Sequence, residues 1–202
     1  MIDNRFPIPE IYKKMEVRGF FNPETYLLLD DVKWFKIDKI KAYDYEDGER
    51  KNIIPFARTA RCDKWVWIFD NNNNYQVGFC PVVEDNGIYY AKNMEDAILR
   101  NIIEYVSSND FYINQNAAAS FQLSESELKT LLVSWKNKLN GLLRDDYIQL
   151  IDYFTSLNLK EFNHGKYGDW CALISLDECD ALIEKYIKYD MFEKEFPIYN
   201  VI

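Results

Sequence analysis

Apolar positions change their period twice along this chain. At the front they recur at helical spacing. Ile8, Ile11, Tyr12 and Met15 share one face, with Pro9 suited to the first turn and Gly19 placed to end the helix. From Tyr26 to Ala91 the signal becomes that of strands. Trp34-Phe35-Lys36-Ile37 and Ile40 to Tyr45 are rich in β-branched and aromatic residues and partly alternate. Ile53 onward reads as a short strand and then a polar elbow. Lys64 to Phe69 follows as a near-continuous apolar strand, with Trp65 and Trp67 on one face and core positions expected for both. Asp47-Gly48 marks a turn. The run Asn71 to Asn74 tolerates left-handed backbone and predicts a hairpin into Tyr75 to Cys80. Asn86-Gly87 predicts a second hairpin turn, between Val82-Val83 and Ile88-Tyr89-Tyr90.

Helical spacing then returns. Asn93 is placed as an N-cap, with Met94, Ala97, Ile98, Ile102, Tyr105 and Val106 as the inward stripe. A polar stretch around Ala117-Ala118-Ala119 reads as a connector. Ser124 with Glu127, and Ser175 with Glu178, are capping boxes. The first opens a helix through Leu128, Leu132, Trp135 and Leu139 that Gly141 stops. Another helix runs from about Arg144 to Leu157, with Tyr147, Ile148, Ile151 and Phe154 inward, and Trp170 to Ile174 reads as a short strand. The expected architecture is α+β. Residues 1–109 form a mostly antiparallel sheet of about five or six strands flanked by helices, and residues 110–202 a mainly helical extension packed on it.

Charge narrows the partners. The chain holds 33 acidic and 24 basic residues, a formal net of −9. Phosphate binding wants a basic footprint, so nucleic acid is not expected as a ligand. A basic protein partner is compatible with this charge, and so is plain solubility. No apolar run is long enough to span a membrane, and the first ten residues carry no export-type apolar segment. Cys62, Cys80, Cys171 and Cys179 have no motif spacing and are expected as free thiols of a cytosolic protein.

Chemistry-bearing patterns are sparse. His164 is the one histidine, and with Cys171 and Cys179 it matches no common ligand spacing. Nucleophile elbows and phosphate-binding glycine loops are absent from the sequence. Asp70, Asn72 and Asn74 begin like a calcium loop, but Tyr75 stands where that loop needs Gly and Pro81 where it needs Glu. Asp30-Asp31, Glu84-Asp85 and Asp145-Asp146 are adjacent carboxylates that suit either acid/base work or solvated turns and caps. No catalytic residue, metal or cofactor is expected.

Several residues in order then carry a resemblance. Pro9, Tyr12, Lys13, Met15 and Gly19 are followed by Asp30-Asp31 and Trp34. Ile54-Pro55-Phe56-Ala57 precedes Asp63 and the Trp65 strand, and Ala91, Asn93, Met94 and Asp96 open a helix. Over residues 8 to 107 this set is similar to the SUKH superfamily, which includes fungal cell-wall-assembly regulators and bacterial immunity proteins. The resemblance implies an α+β fold and an antidote that binds and neutralises a cognate toxin, often a nuclease, with no catalytic residues to carry over. The elbow departs from the pattern, since Arg61-Cys62 stands before Asp63 where a glycine is common. Trp34, Asp44, Glu46, Asp47, Glu49, Asp63, Glu84 and Asp85 are the expected partner-binding residues, with Asp145 and Asp146 as further acidic candidates. A regulatory adaptor and a carboxylate-pair hydrolase remain as other readings.

Overall fold

The computed structural model describes residues 6–21, 32–108, 110–113, 122–163, 165 and 168–200. The expectations attached to Asp30-Asp31, Ala117-Ala118-Ala119 and His164 lie outside these residues. The fold is α+β, with six helices and ten strands among the described residues. It divides into two compact units, Met1–Ala97 with Tyr189–Ile202, and Ile98–Lys188. The sequence pattern placed its division near residue 110. The units instead part within one helix, and the closing residues belong to the first unit.

The first unit contains α1 (Glu10–Val17), β1 (Lys33–Trp34), α2 (Ile37–Lys41), β2 (Ile53–Arg58), β3 (Lys64–Phe69), β4 (Tyr75–Cys80) and β5 (Asn86–Ala91), the opening of α3 (Met94–Val106), and β10 (Glu195–Pro197). Its six strands form one sheet in the order β1-β2-β3-β4-β5-β10, antiparallel throughout. Pro55 is tolerated inside β2 because β1 pairs only with Ala57 and Arg58. The ladder slips between Pro55 and Ala57, leaving Phe56 as an extra residue. Its freed carbonyl accepts from Phe35 N–H at 2.8 Å and from the Tyr12 hydroxyl, also at 2.8 Å.

Period-two alternation gives the sheet two different faces. On one, Trp67 meets Tyr12 edge-on at 4.8 Å and stacks on Phe56 at 4.8 Å. On the other, Ile53, Val66, Cys80, Phe196 and Ile198 form a buried cluster. This second face explains a corrected hairpin. Asn86-Gly87 is not the turn; the loop is Pro81–Asp85, and β5 starts at Asn86. Gly87 is there because Phe196 crosses it. A Cβ on Gly87 would stand 2.4 Å from Phe196 Cζ, and one on Gly78 2.7 Å from Phe196 Cε1.

A second correction concerns residues 37–45, which the pattern read as strand. Residues Ile37–Lys41 form α2, with Ile40 buried. Ile37 and Ile40 are three apart, which puts them on one face of a helical turn but on opposite faces of a strand. The Glu16 carboxylate decides it by accepting the Ile37 N–H at 2.9 Å. The other hairpin forms as read. Asn73 takes φ +62°, and the Asp70 carboxylate accepts from the N–H groups of Asn72 and Asn74 at 2.8 and 2.9 Å.

The second unit holds the rest of α3, then β6 (Phe111–Tyr112), β7 (Leu123–Ser124), α4 (Glu125–Leu139), α5 (Asp145–Ser156), β8 (Lys160–Asn163), β9 (Asp169–Ala172) and α6 (Leu176–Tyr186). Both capping boxes form, at Ser124 with Glu127 and Ser175 with Glu178. Leu128, Leu132, Trp135 and Leu139 of α4 and Tyr147, Ile151 and Phe154 of α5 are buried. A four-stranded sheet in the order β7-β6-β9-β8 takes in the strand read at Trp170 to Ile174, which forms as β9 over Asp169–Ala172, and adds β6, β7 and β8, which the pattern did not show. The pair β6–β7 is parallel.

Candidate docking site

The site grows from the elbow between β2 and β3. Thr59 N–H donates to the Asp63 carbonyl at 2.9 Å and Cys62 N–H to the Thr59 carbonyl at 3.1 Å. Cys62 itself stands at φ +74°. This is a tight turn closed by a left-handed bulge residue, the place where glycine is preferred. The departure noted in the sequence falls on that residue, and the geometry forms with cysteine in it. Asp63 then holds two hairpins together. One carboxylate oxygen accepts from the Thr59 hydroxyl at 3.0 Å. The other accepts from Val82 N–H at 3.0 Å.

That bond fixes the β4–β5 loop. Glu84 N–H reaches the Pro81 carbonyl at 3.4 Å, and the Asp85 carbonyl accepts from Ile198 N–H at 3.0 Å. The tip is apolar and open to solvent: Val82 is 56% and Val83 86% exposed. Glu84 and Asp85 follow it, both exposed.

A second loop, 43–50, carries the other acidic candidates. Asp44, Glu46 and Asp47 are exposed. Glu49 is only 5% exposed and is engaged within the fold. It accepts from Lys64 Nζ at 2.8 Å and from Glu46 N–H at 2.8 Å, with the Tyr43 hydroxyl 3.5 Å away. Burial pulls the Lys64 ammonium down, but its bonds to Glu49 and Tyr43 outweigh that and hold it above the ordinary lysine value. Beside it, burial pushes the Cys80 thiol up to about 12, against the opposing pull of Lys64. Glu49, Arg50, Ile53 and Lys64 help line a small cleft of about 10 Å³, room for a single water.

Tyr199 joins the two loops. Its backbone bridges Glu49, and the next residue donates its N–H to the Gly48 carbonyl at 2.9 Å. Its phenol is raised above the ordinary tyrosine value, first by burial and then by Glu46 and Glu49, with Asp85 adding and Lys64 opposing. The loop of Glu46 and Glu49 and the loop of Asp85 thus meet along residues 198–200. Sequence reasoning missed Tyr199, which nothing local marks. It also missed the Val82-Val83 tip, whose two β-branched residues read as strand.

The expected site residues thus divide. Asp44, Glu46, Asp47, Glu84 and Asp85 face solvent, while Glu49 and Asp63 hold loops in place. Trp34 is half-buried, stacked on Phe21 and Phe56 at 5.7 Å from each. Asp145 and Asp146 occupy the first turn of α5, where carboxylates complement the helix dipole. Among the described residues, the carboxylates with displaced titration, Asp70, Glu125 and Glu127, are lowered, led by side-chain hydrogen bonds from Asn74, Lys129 and Ser124. Among the described residues no group of three His, Cys, Asp or Glu side chains is placed to hold a metal ion, and no helix is long and apolar enough to cross a membrane. What the rim offers chemically is a fixed apolar tip beside open carboxylates. No protein-family model, curated protein or solved structure matches the chain.

Proposed function

We propose that this chain is a SUKH-type immunity protein of the cytosol, a binding protein rather than an enzyme, that docks on a basic protein toxin and covers its active groove. One observation carries the reading. The Val82-Val83 tip is held by Asp63 and stands beside Glu84 and Asp85, and its loop meets the Glu46–Glu49 loop along residues 198–200. Apolar groups seated in a partner's pocket supply most docking energy, while complementary charge supplies on-rate and orientation. A toxin that cleaves nucleic acid needs a cationic groove for phosphate, and a ring of carboxylates is a stand-in for that phosphate.

Co-expression with the protein encoded beside it tests the reading. Survival and co-purification of the pair are expected for the wild type, and loss of both for Val83→Asp at unchanged thermal stability. Equal killing with and without this chain overturns the proposal.

A further inference from the structure

Cations stand opposite one another at one corner of the first sheet. Lys33, Arg58 and Lys64 occupy a single row across β1, β2 and β3, where Lys33 pairs with Arg58 and Arg58 with Lys64. Directly paired residues share a face of the sheet, and like charges placed so are destabilising. Lys64 is matched by Glu49 at 2.8 Å. Lys33 and Arg58 are exposed, and among the described residues no carboxylate lies within ion-pair distance of either.

The short helix α2 brings a third cation to the same corner. Lys39 Nζ lies 4.1 Å from the centre of the Phe35 ring, a cation–π contact. Its ammonium is held below the ordinary lysine value, first by burial and then by the charges of Arg58 and Lys33. The three heads therefore lie within electrostatic reach of one another. Lys39 too has no carboxylate at ion-pair distance among the described residues. The floor beneath them is fixed. Phe35 is buried, its N–H donates to the Phe56 carbonyl at 2.8 Å, and its carbonyl accepts from the Tyr12 hydroxyl at 2.7 Å. Glu16 is committed to the Ile37 N–H. In a chain of net charge −9, this corner keeps three cations together at a cost that a bound anion would offset.

The charges also select the anion. A long polyanion would be repelled by the rest of the molecule. A single carboxylate matches one cation of the three. A phosphate group carries about −1.5 to −2 charges at neutral pH and three acceptor oxygens. It matches the forked donors of one guanidinium and the point charges of two ammoniums. We propose that Lys33, Lys39 and Arg58 bind a compact phosphate group, as the free ion or as a small phosphate ester. This does not depend on what the acidic loops bind.

Thermal melting of the full chain tests it, with inorganic phosphate and a nucleoside monophosphate as probes and sodium chloride at equal ionic strength as the reference. Phosphate also stabilises proteins by exclusion from their surface, a rise that is linear and common to all variants, so the saturable part is the readout. The expected result is a saturable rise whose half-point moves about tenfold upward in Arg58→Gln and in Lys39→Gln. Lys160→Gln, in the second unit, is expected to leave it unchanged. Without phosphate, Lys33→Gln and Arg58→Gln are expected to melt above wild type, because the like-charge opposition is removed. With saturating phosphate that order reverses, which a merely structural corner would not do. A lower half-point with the monophosphate supports the ester as ligand, and a lower one with inorganic phosphate supports the free ion. A rise that is only linear, or equal in wild type and Arg58→Gln, overturns the proposal. So does preferential binding of a long oligonucleotide.

Discussion

Cys62 holds a backbone conformation that an L side chain adopts at a cost of about 1–2 kcal/mol, and that glycine adopts freely. Its side chain is exposed, so nothing packed is lost on removing it. Cys62→Gly is expected to raise stability by about 1 kcal/mol, read as a higher urea midpoint at unchanged slope. Lys64 works in the opposite sense. Its folded-state value lies above the ordinary lysine value, so its contribution is complete below that value and is lost as pH rises toward the folded one. Cys80, neutral until about 12, and Tyr12, raised chiefly by burial, add losses of the same sign. Stability is therefore expected to fall from about pH 9 upward, checked by melting temperature against pH. Lys64→Met leaves Glu49 buried without its cation. A fully buried pair loses about 3–5 kcal/mol this way; with Lys64 part-exposed, about 2–3 kcal/mol is expected at neutral pH. The gap to wild type should close in strong alkali.

Among the elements, those written in contiguous residues were legible. The capping boxes at Ser124 and Ser175 and the Asp70–Asn74 hairpin need only near neighbours, so local chemistry decides them. α2 was not legible, because its capping carboxylate comes from Glu16, which lies in α1. Glu16→Ala is expected to cost about 1 kcal/mol and to loosen this short helix, seen as faster amide exchange across residues 37–42. Gly87 misled for the same reason. Glycine after asparagine signals a turn, yet here the missing side chain makes room for an aromatic ring 109 positions away (196 − 87). Gly87→Ala is expected to cost about 1–3 kcal/mol by overpacking, and Phe196→Leu added to it to recover part of the loss. A double-mutant cycle measures that coupling.

For the molecule as a whole, the antiparallel meander from β1 to β5 was readable because each of these strands pairs with its sequence neighbour, whereas β10 joins β5 from far along the chain. Of the second sheet only β9 was, since β6 and β7 are two residues each and carry no period. The acidic rim was readable residue by residue but not as a place, because Tyr199 and the two loops meet only in three dimensions. In the proposed docking, the net charge of −9 would steer a basic partner toward that rim. Association with a basic partner is expected to slow as salt rises, and Glu84→Lys with Asp85→Lys to lower the association rate while largely sparing dissociation, read by surface-binding kinetics. The route of the chain has a consequence during synthesis. Residues 98 to 188 leave the ribosome between β5 and β10, an interval of roughly 5–18 s at common elongation rates of about 5–20 residues per second. The later-made unit can be finished first, and the nascent front half waits with its Gly78–Gly87 groove open, when a chaperone or a neighbouring nascent chain can reach it.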